Sequence, residues 1–542
     1  LLLFSVTYLF SQICSVNWPP MADESITISN SRNSLKSSAV EASGSRRRQY
    51  AVALGKERKE SLLRAKRLCR VRPGFSYDDG TAELEEEDME MEEAQEEVEK
   101  FNIQLRSAID ELKSSVSLQE KCMVQKKVGA LRKLRRLMTR SAFRPVETVV
   151  NSEVVPALVQ CLSFGSPCEQ LLEAAWCFTN IAAGSSNETR AILPALPLLI
   201  AHLGEQSSSA VAEQCAWALG NVASEGEDLR NILLTQGALL PLARMLLPNK
   251  GSVVRTAAWA LSNLLKGPDP RAAIDLLKVE GIIDALHWHL KKDDVELATE
   301  VAWVIAYLTA LSNSACSVLM NSNFLPTIIH RLVTSDSKEL LIPVLRSLGN
   351  IISTDSLLFA STNHPQELTG SVIEALIKCL KREPPAMQKE AAWALSNIAA
   401  GHVDNKRAIF NGEAFPVLVS LFATAPFDTR KEVAYVLGNL CVETEEGRAK
   451  PSIVAECVKG IARSGCIVGF VNLAKSVDAE GAMIGLQFLE LVLRGMPNNE
   501  GARIVEEAGG IEALERYQFH DNEELRNFAN ALIDKYFGVD FV

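Results

Sequence analysis

The sequence lacks the short motifs that mark the common enzyme classes. It contains no GxxxxGK[ST] phosphate-binding loop, no HExxH metal-binding helix and no GxSxG nucleophile turn between a strand and a helix. His287 and His289 flank Trp288, but side chains this close in sequence diverge on a helix, and no Cys or carboxylate spacing completes a metal site. We therefore expect neither catalysis nor a cofactor.

The sequence also lacks closely paired cysteines and has few aromatic residues. The twelve Cys are scattered singly without a CxxC pair, which predicts small buried side chains in a reducing compartment. Aromatic residues make up 6% of the chain, whereas 47% is hydrophobic, which is enough apolar material to fold. The only long apolar stretch is 1–20, which precedes Met21. We expect it to be translated upstream sequence, and we expect no membrane-spanning segment elsewhere.

Charge is concentrated in two short segments near the N-terminus. Residues 46–72 hold eleven Lys and Arg against two Glu, and residues 83–99 hold eleven Asp and Glu with no Lys or Arg. The whole chain carries a net charge of -11. A basic segment beside an acidic body predicts a basic arm at 21–80 and an acidic linker at 81–118, and it argues against direct nucleic-acid binding by the body.

A repeat near 42 residues dominates the rest of the chain. Similar strings recur from EAAWCFTNIAAG to EVAYVLGNLCVE, with anchors at Trp176, Trp217, Trp259, Trp303, Arg346, Trp393 and Tyr435. This period is typical of armadillo or HEAT units of two or three helices. It predicts an all-α, right-handed superhelical solenoid of about ten repeats over 119–537, followed by a short tail at 538–542.

The anchors fall on a different helix face from the core residues. On the helix around Trp393, the side chains of Ala391, Leu395 and Ile398 lie roughly opposite the indole, whereas Asn397 lies about 40° from it. An Asn buried in a core without a partner would be costly, so we expect Trp and Asn to share an exposed, concave face.

Such a face suits an extended basic peptide. Asn amides can pair with peptide main-chain groups, and indoles attract Lys and Arg. Acids at the same level, Glu225 and Glu300, could receive the ammonium groups. The spacing of the indoles would then select basic residues at alternate peptide positions.

At this point the sequence resembles the importin subunit alpha (karyopherin alpha) family, in a divergent plant form. The resemblance covers roughly residues 46–537. It rests on the AAWALSN-type motifs, the interruption at Arg346 and the closing stretch GGIEALERYQFHDNEELRNFANALIDKYF. It implies a nuclear import adaptor that shuttles between cytoplasm and nucleus and meets the nuclear envelope. It also implies three kinds of partner: cargo nuclear localisation signals, importin beta and an export receptor.

The resemblance further implies three sets of binding residues. The major peptide site would use Trp176, Asn180, Gly184, Thr189, Trp217, Asn221, Glu225, Trp259, Asn263, Glu300 and Trp303. The minor site would use Arg346, Asn350, Glu390, Trp393, Asn397, Glu432, Tyr435 and Asn439. Importin beta would bind Arg46, Arg47, Arg48, Lys56, Arg58, Arg64, Lys66 and Arg67.

One departure from the family pattern affects the minor site. Tyr435 stands where the family usually has Trp, which predicts weaker stacking and cation–π attraction there. The alternative to an import adaptor is an armadillo scaffold without a transport role. Such a scaffold, if it bound acidic or helical partners, would need a basic face, and this array presents Trp, Asn and Glu instead.

Overall fold

The computed structural model describes residues 86–117, 124–139, 145–204, 206–247, 253–267, 269–354, 365–443 and 452–538. Within these ranges the regular structure is helical and contains no strand, which confirms the predicted all-α class. No helix in the described ranges is long and apolar enough to cross a membrane. Residues 1–20 and the basic arm at 21–80 lie outside them, and so do the predicted arm residues Arg46, Arg47, Arg48, Lys56, Arg58, Arg64, Lys66 and Arg67.

The chain divides into two compact units after Ser312. The described part of the N-terminal unit comprises α1 (Glu86–Ser117), α2 (Val124–Met138), α3 (Pro145–Asn151), α4 (Val155–Cys161), α5 (Cys168–Ala182), α6 (Ser186–Ala191), α7 (Leu196–Ala201), α8 (Ser209–Glu225), α9 (Glu227–Thr235), α10 (Leu239–Arg244), α11 (Val253–Leu265), α12 (Pro270–Leu277), α13 (Ile282–Lys291) and α14 (Val295–Leu311).

The described part of the C-terminal unit comprises α15 (Asn313–Asn321), α16 (Phe324–Thr334), α17 (Lys338–Thr354), α18 (Pro365–Leu380), α19 (Pro385–Ala399), α20 (Val403–Phe410), α21 (Ala414–Thr424), α22 (Phe427–Leu440), α23 (Val454–Arg463), α24 (Cys466–Ala474), α25 (Ala479–Gly495), α26 (Glu500–Glu507), α27 (Gly510–Glu515) and α28 (Glu523–Tyr536).

The longer helices stack on one another within each unit. In the N-terminal unit α2, α5, α8, α11 and α14 pack in succession, and in the C-terminal unit α17, α19, α22, α25 and α28 do the same. Small residues such as Ala216, Ala258 and Ala392 are fully buried on these helices. Because they add little bulk, neighbouring helix axes can approach closely, and this spacing sets the distance between successive Trp and Asn side chains.

The second half of the predicted acidic linker, 81–118, packs against the helices that follow it. Phe101, Leu105, Ala108 and Leu112 of α1 are at most 2% exposed, and α1 packs against α2, α3 and α4. Their spacing of three to four residues is the period of a helix face, so the signal was present in the sequence. The packed array therefore begins before residue 119, inside the segment predicted as an acidic linker.

Polar side chains cap the N-termini of several helices. Ser185 and Glu188 form a capping box at the start of α6, and Ser208, Asp294 and Asp478 cap α8, α14 and α25. The caps on α8, α14 and α25 fix where these long helices begin, whereas α5, α19 and α22 begin after a Pro.

Candidate peptide-binding site

The predicted peptide-binding residues lie mainly on the stacked long helices. In the N-terminal unit Trp176 and Asn180 are on α5, Trp217, Asn221 and Glu225 on α8, Trp259 and Asn263 on α11, and Glu300 and Trp303 on α14. We call Trp176, Asn180, Trp217, Asn221, Trp259 and Asn263 the N-terminal row. The C-terminal row comprises Arg346 and Asn350 on α17, Glu390, Trp393 and Asn397 on α19, and Glu432, Tyr435 and Asn439 on α22.

The Asn amides of the N-terminal row are bonded to the neighbouring helix. Asn180 Nδ2 donates to Arg135 O at 3.4 Å, Asn221 Nδ2 to Thr179 O at 3.1 Å and Asn263 Nδ2 to Gly220 O at 3.3 Å. The expectation that a buried Asn would lack a partner is therefore wrong, because a main-chain carbonyl of the preceding repeat accepts from each amide. That partner belongs to a different repeat and is invisible to a single helix wheel.

These bonds also fix what each amide can still offer. Each bond uses one of the two N–H donors of its amide and orients the group, and the amide oxygen is an acceptor that can receive a peptide N–H. Asn221 Oδ1 is buried and has no hydrogen-bond partner among the described residues. An unpaired buried acceptor is destabilising by about 1–3 kcal/mol, so Asn221 marks a position where an added donor would be favourable.

The indoles are less exposed than the helix wheel predicts. Trp259, Trp303 and Trp393 are 9%, 6% and 9% exposed, whereas Trp176 and Trp217 are half-buried. Glycines on the preceding helix explain two of these cases, because a Cβ on Gly220 or Gly349 would overlap the ring of Trp259 or Trp393. The indole thus lies over its neighbour's backbone, and the row is built partly from inter-repeat packing.

The predicted lysine-binding residues sit at the ends of α5 and α8. Thr189 is fully buried, and its Oγ1 donates to Ala182 O at 3.2 Å near the end of α5. Gly184 has no room for a Cβ because the side chain of Glu188 lies against it. Glu225 is the half-buried last residue of α8. Their role in binding lysine stays a prediction.

In two other repeats, a cationic side chain makes the same kind of contact as Thr189. Arg230 Nη1 donates to Ala223 O at 3.1 Å, and Lys406 Nζ donates to Ala399 O at 2.6 Å. Each of the three donors contacts a carbonyl seven residues earlier, at the end of a long helix. Such donors satisfy helix-terminal carbonyls that the helix itself leaves open. A structural role thus accounts for the burial of Thr189.

An ion pair joins two residues of the C-terminal row. Arg346 donates from Nε and Nη2 to Glu390 Oε1 at 3.1 and 2.7 Å, and both side chains are 9% exposed. Two residues predicted to contact peptide therefore contact each other. Asn397 Nδ2 and Asn439 Nδ2 donate to Gly349 O and Ser396 O at 3.0 and 2.9 Å, as in the N-terminal row. Asn350 is buried and Glu432 is half-buried.

Tyr435 takes part in a second charged cluster. Its hydroxyl donates to Glu480 Oε1 at 2.7 Å, and Lys431 Nζ lies 2.8 Å from Glu480 and 3.1 Å from Asp478. Sequence reasoning missed Lys431, Asp478 and Glu480. Lys431 lies one turn before Tyr435, so it was detectable, but its partners come from α25, where the aligned strings had already ended.

Arg135 is a further residue that sequence reasoning missed. Its Cζ lies 4.1 Å from the centroid of the Trp176 ring, and its Nε is 2.5 Å from Glu173 Oε2. In the sequence it is one of several cations in the helix VQKKVGALRKLRRLM and looks like part of a solvated basic face. Only the packing of α2 on α5 distinguishes it.

The buried cysteines and His289 have packing roles. Burial raises the pKa of Cys161, Cys379 and Cys457 to about 11, so these thiols stay protonated and unreactive near neutral pH. His289 is buried and bonds Leu246 O through Nε2 at 2.8 Å. Among the described residues, no cluster of three or more His, Cys, Asp and Glu is arranged to hold a metal.

Comparison with known sequences and structures agrees with this architecture. Residues 143–183, 227–266 and 361–400 match the family described as Armadillo/beta-catenin-like repeat, and residues 499–541 match the family described as Atypical Arm repeat. An engineered protein of known crystal structure covers 79% of this chain and 98% of its own length, with 25% identity and a TM-score of 0.67. The predicted fold, an all-α solenoid of armadillo repeats, is confirmed.

Two plant proteins align over nearly the whole chain. Importin subunit alpha-9 of Arabidopsis thaliana is 56% identical over 96% of this chain and 99% of its own length. Importin subunit alpha-2 of Oryza sativa subsp. japonica is 51% identical over 96% and 99%, respectively. The chain therefore belongs to the importin subunit alpha family of nuclear import adaptors.

Proposed function

We propose that the N-terminal row binds the Lys- and Arg-rich nuclear localisation signals of cargo proteins. The basic arm at 21–80, in this proposal, binds importin beta. A protein that binds both partners would shuttle between the cytoplasm and the nucleus and would meet the nuclear envelope on the way. An export receptor would be a further partner. The proposal requires no direct contact with nucleic acid or membrane.

The observation that carries the proposal is the orientation of the Asn amides. Each Nδ2 donates to a helix carbonyl, which orients the amide, and the Oδ1 atoms are acceptors spaced by the repeat. An extended peptide has N–H groups that alternate along its length and can meet such acceptors whatever its side chains are. Main-chain recognition of this kind explains how one row could accept many cargo sequences.

The indoles and acids supply selectivity for basic side chains. Trp176 and Trp217 are the half-buried rings of the row, and an indole face attracts Lys and Arg at about 0.5–1 kcal/mol or more. Glu225 and Glu300 add negative charge on α8 and α14. The first sites to test are therefore Trp217 and Asn221, where a half-buried ring and an unpaired acceptor lie on one helix.

Fluorescence anisotropy with a labelled Lys-rich signal peptide tests the proposal on the full chain. We expect binding that weakens by about 1–3 kcal/mol in Trp217→Ala and in Asn221→Ala, as for hot-spot residues. An acidic peptide of equal length serves as the control and should not bind. Unchanged affinity in both variants would contradict peptide binding by this row.

The alternative, an armadillo scaffold without a transport role, is separated by a second experiment. The arm residues Arg46, Arg47, Arg48, Lys56, Arg58, Arg64, Lys66 and Arg67 lie in a segment with eleven cations and two anions, which suits an acidic partner surface. We expect importin beta to bind the full chain and to lose affinity when these eight residues are changed to Ala. A full chain that does not bind importin beta would favour the scaffold, and binding that survives the change would contradict the role of the arm.

A further inference from the structure

The first position of the N-terminal row already holds a cation from the chain itself. Arg135 of α2 lies with its Cζ 4.1 Å from the centroid of the Trp176 ring on α5. This distance is well within the range in which a guanidinium is attracted by an indole face. Arg135 thus makes the contact with Trp176 that a Lys or Arg of a bound peptide would otherwise make on the side facing α2.

The amide bonds show that Arg135 is an exception among equivalent positions. Five Asn of the rows, namely Asn180, Asn221, Asn263, Asn397 and Asn439, donate to the residue just before the Asn position of the preceding repeat. These acceptors are Thr179, Gly220, Gly349 and Ser396, and in the first repeat the acceptor is Arg135. The four later positions are small, and at Gly220 and Gly349 the absence of a Cβ lets the next indole lie on the helix.

Glu173 holds the Arg135 side chain in place. Arg135 Nε is 2.5 Å from Glu173 Oε2, and the two side chains are 14% and 8% exposed. Arg132 contributes a second contact, with its Nε 3.1 Å from Glu173 Oε1, but the structure records no ring contact for it. A charge-assisted pair with limited exposure keeps Arg135 near the ring more firmly than an exposed pair would.

We propose that Arg135 fills the α2-facing side of Trp176 and thereby closes the row to a basic peptide residue at that end. A bound signal would then place its Lys and Arg residues from the gap between Trp176 and Trp217 onward. This inference rests on the proposed function, because it concerns the specificity of the same row. It makes Arg135 a specificity-determining residue that sets where the basic part of the signal begins.

Three labelled peptides can test this on the full chain. All share a core of Lys residues, and about three residues on each side suffice to reach one further repeat, since neighbouring helices lie about 10 Å apart. One peptide has Ala flanks on both sides, the second has a Lys flank on the amino side, and the third has a Lys flank on the carboxyl side. Because both ends are tested, the direction in which the peptide binds need not be known. The readout is each peptide's Kd relative to the all-Ala-flanked peptide.

Arg132→Ala is the matched control for Arg135→Ala. Both changes remove one positive charge that is paired with Glu173, so long-range attraction to a basic peptide increases similarly, whereas of the two only Arg135 is recorded on the Trp176 ring. Arg132 also pairs with Glu169. Arg135→Gln is the second variant, since its amide can still donate to Glu173 and protect the packing of α2 on α5.

We expect Arg132→Ala to give the same Kd ratios among the three peptides as the wild-type protein. Arg135→Ala and Arg135→Gln should improve the relative affinity for one Lys-flanked peptide by about fivefold over the wild-type ratio, which is the scale of one indole–cation contact. Equal ratios in Arg135→Ala, Arg135→Gln and Arg132→Ala would overturn the inference while leaving the proposed function intact. A wild-type protein that binds none of the peptides would overturn both.

Discussion

The two units use the same repeat positions in different ways. In the N-terminal unit the positions of the row hold indoles and amides, and Arg135, which pairs with Glu173, lies on the first indole. In the C-terminal unit Arg346 pairs with Glu390, and Lys431 and Tyr435 both contact Glu480. The same helical scaffold therefore carries a row of indoles and amides in one unit and internally paired charges in the other.

This difference explains why similar sequence motifs need not bind alike. Asn397 and Asn439 are held by helix carbonyls just as Asn221 and Asn263 are. What changes is the set of neighbouring side chains, which in the C-terminal row includes the pair Arg346–Glu390 and the contacts of Lys431 and Tyr435 with Glu480. A peptide Lys entering the C-terminal row would have to compete with Arg346 or Lys431 for the same carboxylates.

The largest effect on stability should come from the buried pair of the C-terminal unit. Arg346→Ala or Glu390→Ala removes one partner of an ion pair whose side chains are each 9% exposed, and we expect a loss of about 3–5 kcal/mol in the free energy of unfolding. Replacing both, as Arg346→Met with Glu390→Leu, should restore most of it. Urea unfolding followed by circular dichroism measures all three variants.

The matched control lies in the N-terminal unit. Arg255 and Glu296 also pair between neighbouring long helices, but their side chains are 50% and 75% exposed. Arg255→Ala should therefore cost less than about 1 kcal/mol. Equal losses at Arg255 and Arg346 would contradict the view that burial distinguishes the charged contacts of the two units.

An intermediate effect is expected at the glycines beneath the indoles. Gly220→Ala and Gly349→Ala would force a methyl group into Trp259 and Trp393, which should destabilise each unit by about 1–3 kcal/mol and change tryptophan fluorescence. Gly438 holds the equivalent position before Asn439, but no described atom would lie within 4 Å of its added Cβ.

Gly438→Ala is accordingly the control for this pair. Since it meets open space within a helix, it should stabilise the protein by up to about 1 kcal/mol through the loss of glycine's backbone freedom. A destabilising Gly438→Ala, or a neutral Gly349→Ala, would show that indole packing does not govern these positions.

The smallest effect should be a pH dependence that belongs to the N-terminal unit. Burial lowers the pKa of His289, helped by Lys292, although its bond to Leu246 O opposes the shift. The neutral form is therefore favoured in the folded state. Its contribution to stability is present above the unfolded pKa of about 6.5 and is lost as the pH falls below that value.

His289→Gln should reduce the drop in the urea midpoint between pH 7.5 and pH 5, because the amide can still donate to Leu246 O without titrating. In the C-terminal unit Tyr517 donates its hydroxyl to Ala474 O at 2.6 Å in a comparable contact between repeats. Tyr517→Phe should lower the midpoint equally at both pH values. A pH-dependent change at Tyr517, or none at His289, would contradict this assignment.

The periodicity of the sequence was sufficient to predict the long helices and the side chains that lie close together on each of them. The recurrence of Trp and Asn predicted the long helices and put Trp393 and Asn397 on neighbouring positions of one helix. The Asn–carbonyl bonds, the pairing of Arg346 with Glu390 and the contact of Arg135 with Trp176 could not be predicted this way. Each depends on the register between helices of different repeats, which a single repeat does not encode.

The central claim is that peptide affinity resides in the N-terminal row. It is tested most directly by the Kd of a Lys-rich signal peptide for Asn221→Ala and Asn439→Ala in the full chain. Both variants lose one amide that donates to a helix carbonyl, so the structural disturbance is matched. We predict a loss of about tenfold or more for Asn221→Ala and less than about threefold for Asn439→Ala. Equal losses, or a larger loss at Asn439, would contradict the account.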